Sequence, residues 1–599
     1  MKKAKGIVWN LQDLYQRDDD PQINRDIEAA YSLADAFNEK YHGKIASPDC
    51  DAGRMLAALQ AYETLIEKLY KPLVMANLLF TADGRSDAYK AQIAKVQEAN
   101  TRIDNRSLFF SLEIQKIPAG QISEMLATGK LQHYEHYIES LRLFTPYVLA
   151  ENEEKIVNNK NLTGKTAFVN LFDEFTADFE WKLKIDDETK TLTQSEVRQL
   201  LWNQDAGVRE RAKRAHDAKF GEHALIFTNI FGNLIKDHSV EMEMRGFESP
   251  IQPSYLRNKV SGDIVETMMQ VTTKKYPLAQ RYYRIKAKLL GLPKLKGSDL
   301  YAPVTKSDRV IPFDEGKTLV VESFHDFYPE FGSILQRAFS EKWIDAEIRP
   351  GKRGGAFCMS AIPSLHPYVL MNYVDDLNSV YTLAHELGHA LHSVLAGEKQ
   401  TLVTFHPPLV LAETASVFGE MLLTRRLRSE KLDHETRVQI LASKLEDFFA
   451  TIFRQTMYIQ FELDAHQQGA QRRLSPDDFC DLWVQHRDEM YGEVVDFLDE
   501  EKWYWAVIPH FIHSRFYCYA YTFGALFVLA LYNQYEQQGE AFVPLYRELL
   551  AAGDSTWPNE LVESIGLDFS KASFWQGGLN VIENMLDELE DLASATKSS

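Results

Sequence analysis

His385-Glu386-Leu387-Gly388-His389 is the stretch on which the reading of this chain turns. Two histidines four residues apart on a helix leave the same face, so both imidazoles can reach one tetrahedral zinc ion. The glutamate after the first histidine stands where it can take a proton from a water that the ion activates. The flanking residues read as a helix. Asp375, Asp376 and Asn378 offer N-caps, and Val380, Leu383, Ala384, Leu387, Leu391, Val394 and Leu395 make an apolar stripe. Gly397 offers a C-cap. Such a pentad arises by accident in a chain this long on the order of a few times in a hundred, and the helical frame lowers that further. The stretch therefore predicts a zinc-dependent hydrolase of the metallopeptidase kind.

A catalytic zinc takes three protein ligands and keeps one position open. His392 shares the histidine face, but three ligands from consecutive turns lie along a line and do not wrap a tetrahedral ion. It reads as a histidine at the surface or behind the ligands. The longer pattern HExxHxxGxxH fails, because position 392 is His and position 395 is Leu. Glu413 is the better third ligand. It opens a second apolar helix after the Pro407-Pro408 turn, and packing that helix across the first brings in a carboxylate from a new direction. Glu398 is a rival that sits too close to the end of the first helix. Glu420, seven residues beyond Glu413, lies on nearly the same face. There it can hold a ligand imidazole by its second nitrogen; a solvated glutamate is the other reading.

The remaining composition narrows the class. The 599 residues are 45% hydrophobic and 25% charged, as in a large globular protein. A formal charge of -20, from 66 basic and 86 acidic residues, argues against a nucleic-acid backbone or an anionic membrane as partner. Cys50, Cys358, Cys480 and Cys518 are scattered with no CxxC pair, which fits a reducing cytoplasm. MKKAKG at the start is not followed by an apolar segment, so no signal peptide is expected. The apolar run from Phe523 to Leu531 is too short to span a membrane and reads as a buried helix. Gly164-Lys165-Thr166 ends like a phosphate-binding loop, but Asn159 stands where the first glycine belongs, so ATP binding is not expected.

Along the chain, apolar residues recur at helical spacing over about 22–160 and 193–293. Lys160 to Gly164 is a turn-rich break, followed by a short strand expected over 167–171. The Pro- and Gly-rich segment 292–313 marks a boundary between lobes. Strands are expected over 344–349, 356–360 and 368–373, with Gly354-Gly355 turning between the first two. The third strand offers an edge for a peptide backbone. Gly354 and Gly355 read either as a flexible loop over the cleft or as a plain hairpin turn. A helix over 580–592 and a polar tail close the chain.

With HELGHALH at 385–392 and LAETASVFGE at 411–420, the chain resembles the thimet oligopeptidase family of zinc peptidases, and its oligoendopeptidase F branch in particular. Gly351 to Phe357, Pro367 to Tyr373, Leu300 to Pro303, Ile508 to Phe511 and Thr163 to Glu174 fit the same branch. The resemblance spans roughly 110–590. It implies a mainly α, two-lobed, zincin-like metallopeptidase with a deep central channel and a small β-sheet beside the zinc helix. The implied divisions are an N-terminal helical region at 1–110, a branch-specific domain at 111–190, a catalytic domain at 191–590 and a tail at 591–599. It assigns one zinc per chain to His385, His389 and Glu413, and the general base to Glu386. From His510 to Tyr521 it takes His510 and Tyr517 for the oxyanion, with His513, Tyr519 and Tyr521 as further substrate contacts beside Tyr368, Gly354 and Gly355. The implied reaction is hydrolysis of internal bonds in short oligopeptides. A carboxypeptidase or dipeptidase of related fold is the alternative. It needs a cation, such as Arg515 or Arg353, to grip a terminal carboxylate. A peptide binder without catalysis has no use for Glu386. No oligomeric state is assigned by the sequence.

Overall fold

The computed structural model describes residues 4–185, 188–305 and 309–595. It is mainly α, with two two-stranded sheets and one three-stranded sheet among the described residues. The chain divides into two compact units, each assembled from three stretches: Met1–Thr145, Asp308–Glu430 and Gln534–Asp568 in the first, Pro146–Ser307, Lys431–Asn533 and Phe569–Ser599 in the second. One of the cuts falls inside the expected boundary at 292–313. Divisions at 110, 190 and 590 do not coincide with the spatial units, because neither unit is continuous in sequence.

In the first unit the helices Pro21–Tyr41, Ala52–Ala82 and Asp87–Ser107 pack side by side. Asp20 and Asp51 cap the first two, accepting from the Gln22 and Arg54 amides at 2.9 and 2.8 Å, which satisfies donors that a helix start leaves open. Leu59, Met55 and Ile103 fill the space between them. Val74, Met75 and Leu78 of the second helix continue that packing onto Tyr368. The strand carrying Tyr368, Tyr368–Leu370, is the middle one of the three-stranded sheet. It runs parallel to Ile344–Asp345 and antiparallel to Phe357–Met359. These strands are shorter than the sequence pattern suggested. The first two are not neighbours, so Gly354-Gly355 is not a hairpin turn between them.

The second unit is helical around buried ion pairs. Arg209 binds Asp299 at 2.7 Å, Lys286 binds Glu446 at 2.5 Å, and Lys213 meets Asp217 and Glu501. A hairpin in it, Trp181–Ile185 with Glu188–Leu192, was not visible in the sequence pattern. The strand expected over 167–171 is part of a helix, Lys165–Ala177. Its apolar run mimics a strand, but on that helix only Phe172 is buried, where it meets Phe227. Phe523 to Leu531 lies, as expected, in a buried helix, Cys518–Gln538. Among the described residues no single helix is long and apolar enough to cross a membrane. The closing helix begins earlier than expected and runs from Ala572 to Ala595; the rest of the polar tail, 596–599, lies outside the described residues. All four cysteines are free thiols.

Candidate active site

The pentad lies on the helix Leu377–Gly397 of the first unit. Asp376 is its N-cap and accepts from the Ser379 amide at 2.8 Å. Val380, Leu383, Ala384, Leu387, Leu391 and Leu395 of the expected stripe are buried, whereas Val394 is half-buried. Gly397 is the last helical residue rather than a left-handed cap. A Cβ there would lie 3.1 Å from the Pro363 carbonyl oxygen, so close approach explains this glycine.

The helix Thr414–Ser429 crosses the pentad helix. Two glycines make the crossing close. A Cβ on Gly388 would lie 2.4 Å from the Ala415 carbonyl oxygen and 2.6 Å from the Ser416 Cα. A Cβ on Gly419 would meet Phe324 at 2.3 Å and the Ala384 carbonyl oxygen at 3.1 Å. Glu413 is the N-cap residue of this second helix, and a single turn, Leu409–Ala412, precedes it. Its carboxylate therefore projects at the crossing. Ser416 donates to Glu413 Oε2 at 2.6 Å and fixes the rotamer. That partner was not foreseen, although its spacing of three from a helix start is the usual place for such a bond.

His385 Nε2 and His389 Nε2 lie 3.4 and 3.5 Å from Glu413 Oε2, and the three ligand atoms fall within 4.8 Å of one another. A tetrahedron with bonds of about 2.1 Å has edges of about 3.4 Å. The residues therefore fit a zinc ion in donor type, charge and spacing, with one direction left open. His385 and His389 line an open cavity of about 400 Å³, walled also by Phe357, Cys358, Glu386, His392 and His406. Glu420 Oε1 sits 2.7 Å from His385 Nδ1, which leaves Nε2 free to coordinate. His392 is buried rather than at the surface, and lines the cavity with its pKa pushed down to about 3 by burial.

The electrostatics follow from three carboxylates around two imidazoles. Burial works against a charge on His385, but Glu420, Glu413 and Glu386 outweigh it and raise its pKa to about 9. Burial holds His389 down to about 4, against the pull of Glu413. Glu386 is pushed up to about 7, first by burial and then by Glu413 and Glu420, with His385 opposing. Its carboxyl makes no hydrogen bond to protein among the described residues, so it is available to a water.

Tyr368, expected at a free edge, is buried in the middle strand, and its hydroxyl donates to Asp13 at 2.5 Å. It cannot contact a substrate. The edge beside the pentad helix belongs instead to Phe357–Met359, half-buried and on the cavity wall. Gly354 and Gly355 are exposed in the loop before it, and Gly355 has φ +78°, a conformation that favours glycine. The loop is anchored on both sides. Asp345 accepts from Arg349 and Lys352, and Asn372 Nδ2 donates to the Arg353 and Gly355 carbonyls at 3.0 Å each. Arg353 is exposed, and Arg515 is buried in the second unit.

In the second unit, His510, Tyr517 and Tyr521 form one half-buried cluster. The His510 ring stacks on Tyr517 at 5.8 Å, its Nε2 lies 3.3 Å from the Tyr521 hydroxyl, and the two tyrosines are 5.1 Å apart. Burial, then His513, lowers the His510 pKa. Tyr519 does not belong to this cluster. It is fully buried, and its hydroxyl accepts from Asn258 at 2.8 Å and donates to the Ser254 carbonyl at 3.2 Å, a place in the core. His513 engages Asp173 and the Pro509 carbonyl, each at 2.8 Å, and so ties two segments rather than facing a substrate.

What presents the cluster is the turn at Phe516, a non-glycine residue at φ +53°. Such a conformation costs of order 1–3 kcal/mol and persists only when surroundings enforce it. Here Glu462 accepts from the Phe516 amide at 2.8 Å and Ser254 donates to its carbonyl at 2.9 Å. Glu462 is fully buried, which raises its pKa to about 8. Glu462→Ala leaves a buried amide unpaired, at a cost of about 1–3 kcal/mol. It is expected to lower the unfolding temperature by several degrees and to cut kcat more than it changes KM. Glu462→Gln keeps an acceptor and is expected to retain most of both. Thermal unfolding with steady-state kinetics measures the contrast, and equal losses in the two variants would contradict it.

Comparison with known proteins places the chain among peptidases. The pattern of Peptidase family M3 matches residues 199–581, and that of Oligopeptidase F matches 113–181. The chain is 26% identical to "Oligoendopeptidase F homolog" of Lactococcus lactis subsp. lactis, covering 98% of this chain and 97% of that protein. It is 25% identical to "Oligopeptidase PepF" of Bacillus subtilis, over 99% of this chain and 88% of that one. Among solved structures, a putative peptidase from Chlamydophila abortus shares the fold with a TM-score of 0.86 at 24% identity, over 98% of both chains. Oligoendopeptidase-F from Enterococcus faecium does so with a TM-score of 0.72 at 24% identity, over 95% of this chain and 98% of that one.

Proposed function

The chain belongs to peptidase family M3, and we propose that it is a zinc endopeptidase that hydrolyses internal bonds of short oligopeptides with Glu386 as general base. The observation that carries this reading is the spacing of the His385, His389 and Glu413 ligand atoms at tetrahedral edges, with an unengaged Glu386 beside an open cavity. Relatives named as oligopeptidases along nearly the whole chain support the substrate class.

His385, His389 and Glu413 would hold a zinc ion, which would supply Lewis-acid polarisation of the scissile carbonyl and a lowered pKa for the attacking water. Glu386 accepts the proton of that water as it attacks and returns it to the leaving amine. A carboxyl near neutrality suits both transfers. Glu420 holds His385 through Nδ1 and keeps the ring in one tautomer and orientation. The unpaired edge of Phe357–Met359 can add a peptide as an extra strand, which gives affinity through backbone bonds with little side-chain preference. From the resemblance of the His510 to Tyr521 segment we take Tyr517 and His510 as donors to the oxyanion, where charge develops only in the transition state. Tyr521, bonded to His510, shares that cluster. The absence of disulfides among the described cysteines suits the cytoplasm we assign to it.

The test is metal analysis combined with cleavage of a peptide length series whose C-termini are amidated. About one zinc per chain and internal cuts in the blocked peptides are expected. Chelation is expected to abolish the cuts and zinc to restore them. Cuts confined to free C-termini would replace this reading with a carboxypeptidase. Full activity in metal-free protein would remove the zinc from it.

A further inference from the structure

Past its second histidine, the pentad helix keeps one face on the cavity. His385, His389, His392, Ser393 and Ala396 fall at helical spacing, and all five line the same space of about 400 Å³. The rest of the wall belongs to the same unit. It includes Phe357 and Cys358 of the edge strand, and Phe405 and His406 of the segment before Glu413. Ser393 and Ala396 are small, which leaves room beyond the ligand imidazoles.

Charge is scarce on this wall. Among the described residues it holds no lysine, arginine or aspartate, and its one carboxylate is Glu386. His392 and His406 are uncharged at neutral pH, because burial holds the first down to about 3 and the second below the usual imidazole range. A guest carboxylate would find no lysine or arginine to pair with. A guest ammonium would find only Glu386, and would engage the carboxyl that serves as base. Burying either charge unpaired is costly. One polar group on the wall does await a partner. His392 is 5% exposed and makes no hydrogen bond among the described residues, and a neutral imidazole offers one donor and one acceptor. The His406 ring, by contrast, bonds the Ala361 carbonyl.

We propose that this cavity is the specificity pocket for the substrate residue next to the scissile bond, that it selects an aromatic side chain, and that His392 favours tyrosine over phenylalanine by bonding its hydroxyl. Phe357 and Phe405 give the guest ring apolar surface, and a buried tyrosine hydroxyl needs a partner such as His392 supplies. His385, His389 and Glu386 belong to the same wall, which sets the guest beside the bond that is cut. The inference rests on the peptidase reading above and adds a substrate preference to it.

The experiment uses the full chain and C-terminally amidated peptides of glycine and alanine with one varied central residue. Cuts are mapped by mass spectrometry and kcat/KM is measured for each peptide. Tyrosine and phenylalanine are expected to draw the cut to a bond of their own, with kcat/KM about tenfold or more above the alanine peptide. Tyrosine is expected to exceed phenylalanine by about 2- to 10-fold, the worth of one hydrogen bond. Lysine and aspartate are expected to fall below alanine. Ser393→Phe narrows the cavity and is expected to lower the tyrosine-to-alanine ratio about tenfold. His392→Leu is expected to erase the margin of tyrosine over phenylalanine while both stay above alanine, a pattern that general damage to the fold does not give. Cuts that ignore the varied residue, or a ratio unmoved by Ser393→Phe, overturn the pocket and leave the peptidase standing. A tyrosine margin that survives His392→Leu overturns the role of His392. Should a variant fail to fold, the parent's profile carries the test with crystals soaked in N-acetyltyrosinamide, where the ring is expected in the cavity against His392. If no peptide is cut, the peptidase reading falls, and the soaked crystal alone decides the pocket: no ring in the cavity at a saturating concentration overturns it.

Discussion

Glu386→Gln is expected to lower kcat for peptide hydrolysis by about 10²- to 10⁴-fold, the range that a positioned general base supplies. The substitution keeps shape and removes only the ability to take a proton. Glu386 is buried to 6% exposure on the cavity wall, and its carboxyl has no hydrogen bond to protein among the described residues that could be lost, so the fold is not expected to change. His385, His389 and Glu413 are untouched, so bound zinc should remain at about one per chain. KM should move little, since binding does not depend on the proton. Kinetics, metal content and thermal unfolding of the same preparation separate the outcomes. A variant that has lost its zinc would make Glu386 a structural residue. One that hydrolyses peptides as before would leave a peptidase with a different base.

Gly388→Ala is the second large effect, and here the damage is geometric. The new methyl would meet the Ala415 carbonyl oxygen at 2.4 Å and the Ser416 Cα at 2.6 Å, both backbone atoms. Neither can turn aside as a side chain would, so the two helices must separate. Overpacking of this kind costs about 1–3 kcal/mol. The larger consequence falls on the metal site. Glu413 and Ser416 ride on the helix that moves, while His385 and His389 ride on the other. A misplacement of about 1 Å is enough for a loss of about 100-fold. The variant should therefore fold with a lowered unfolding temperature, bind zinc more weakly and lose activity by about 100-fold or more. Activity within a few-fold of the parent would mean that the crossing tolerates the methyl.

Much of the candidate site's geometry was legible because it is local. Four-residue spacing puts His385 and His389 together whatever surrounds them. Glu413 and Glu420 needed one assumption, that two apolar helices cross. The structure places Glu420 on His385 Nδ1 and Glu413 opposite both Nε2 atoms. The glycines that permit the crossing, 388 and 419, carry no such signal, since a glycine inside a helix reads only as a weak point. The C-terminal tyrosines show another limit. Tyr517, Tyr519 and Tyr521 alternate along the chain, and composition cannot say which faces inward. Tyr519 turned to Ser254 and Asn258, more than 250 positions earlier in the chain. Strand order was hidden for the same reason. Which of three short strands lies in the middle depends on helices from the first hundred residues packing against Tyr368. A π-helical turn at Phe449–Phe453 has no sequence marker that periodicity would reveal.

The interleaving of the first unit bears on how this enzyme is made. Its last stretch supplies Tyr546, whose hydroxyl bonds the Thr414 carbonyl at 2.8 Å and whose ring stacks on Phe418 at 4.3 Å. Arg547 and Glu548 clamp Glu398 and Lys399, just past the end of the pentad helix. At about 5–20 residues per second, the ribosome delivers this brace on the order of ten seconds after the histidines. A nascent chain therefore carries the metal ligands before it carries the support behind them. The unit that carries the pentad completes its packing only when synthesis is nearly done, so a truncated product would lack a finished peptidase.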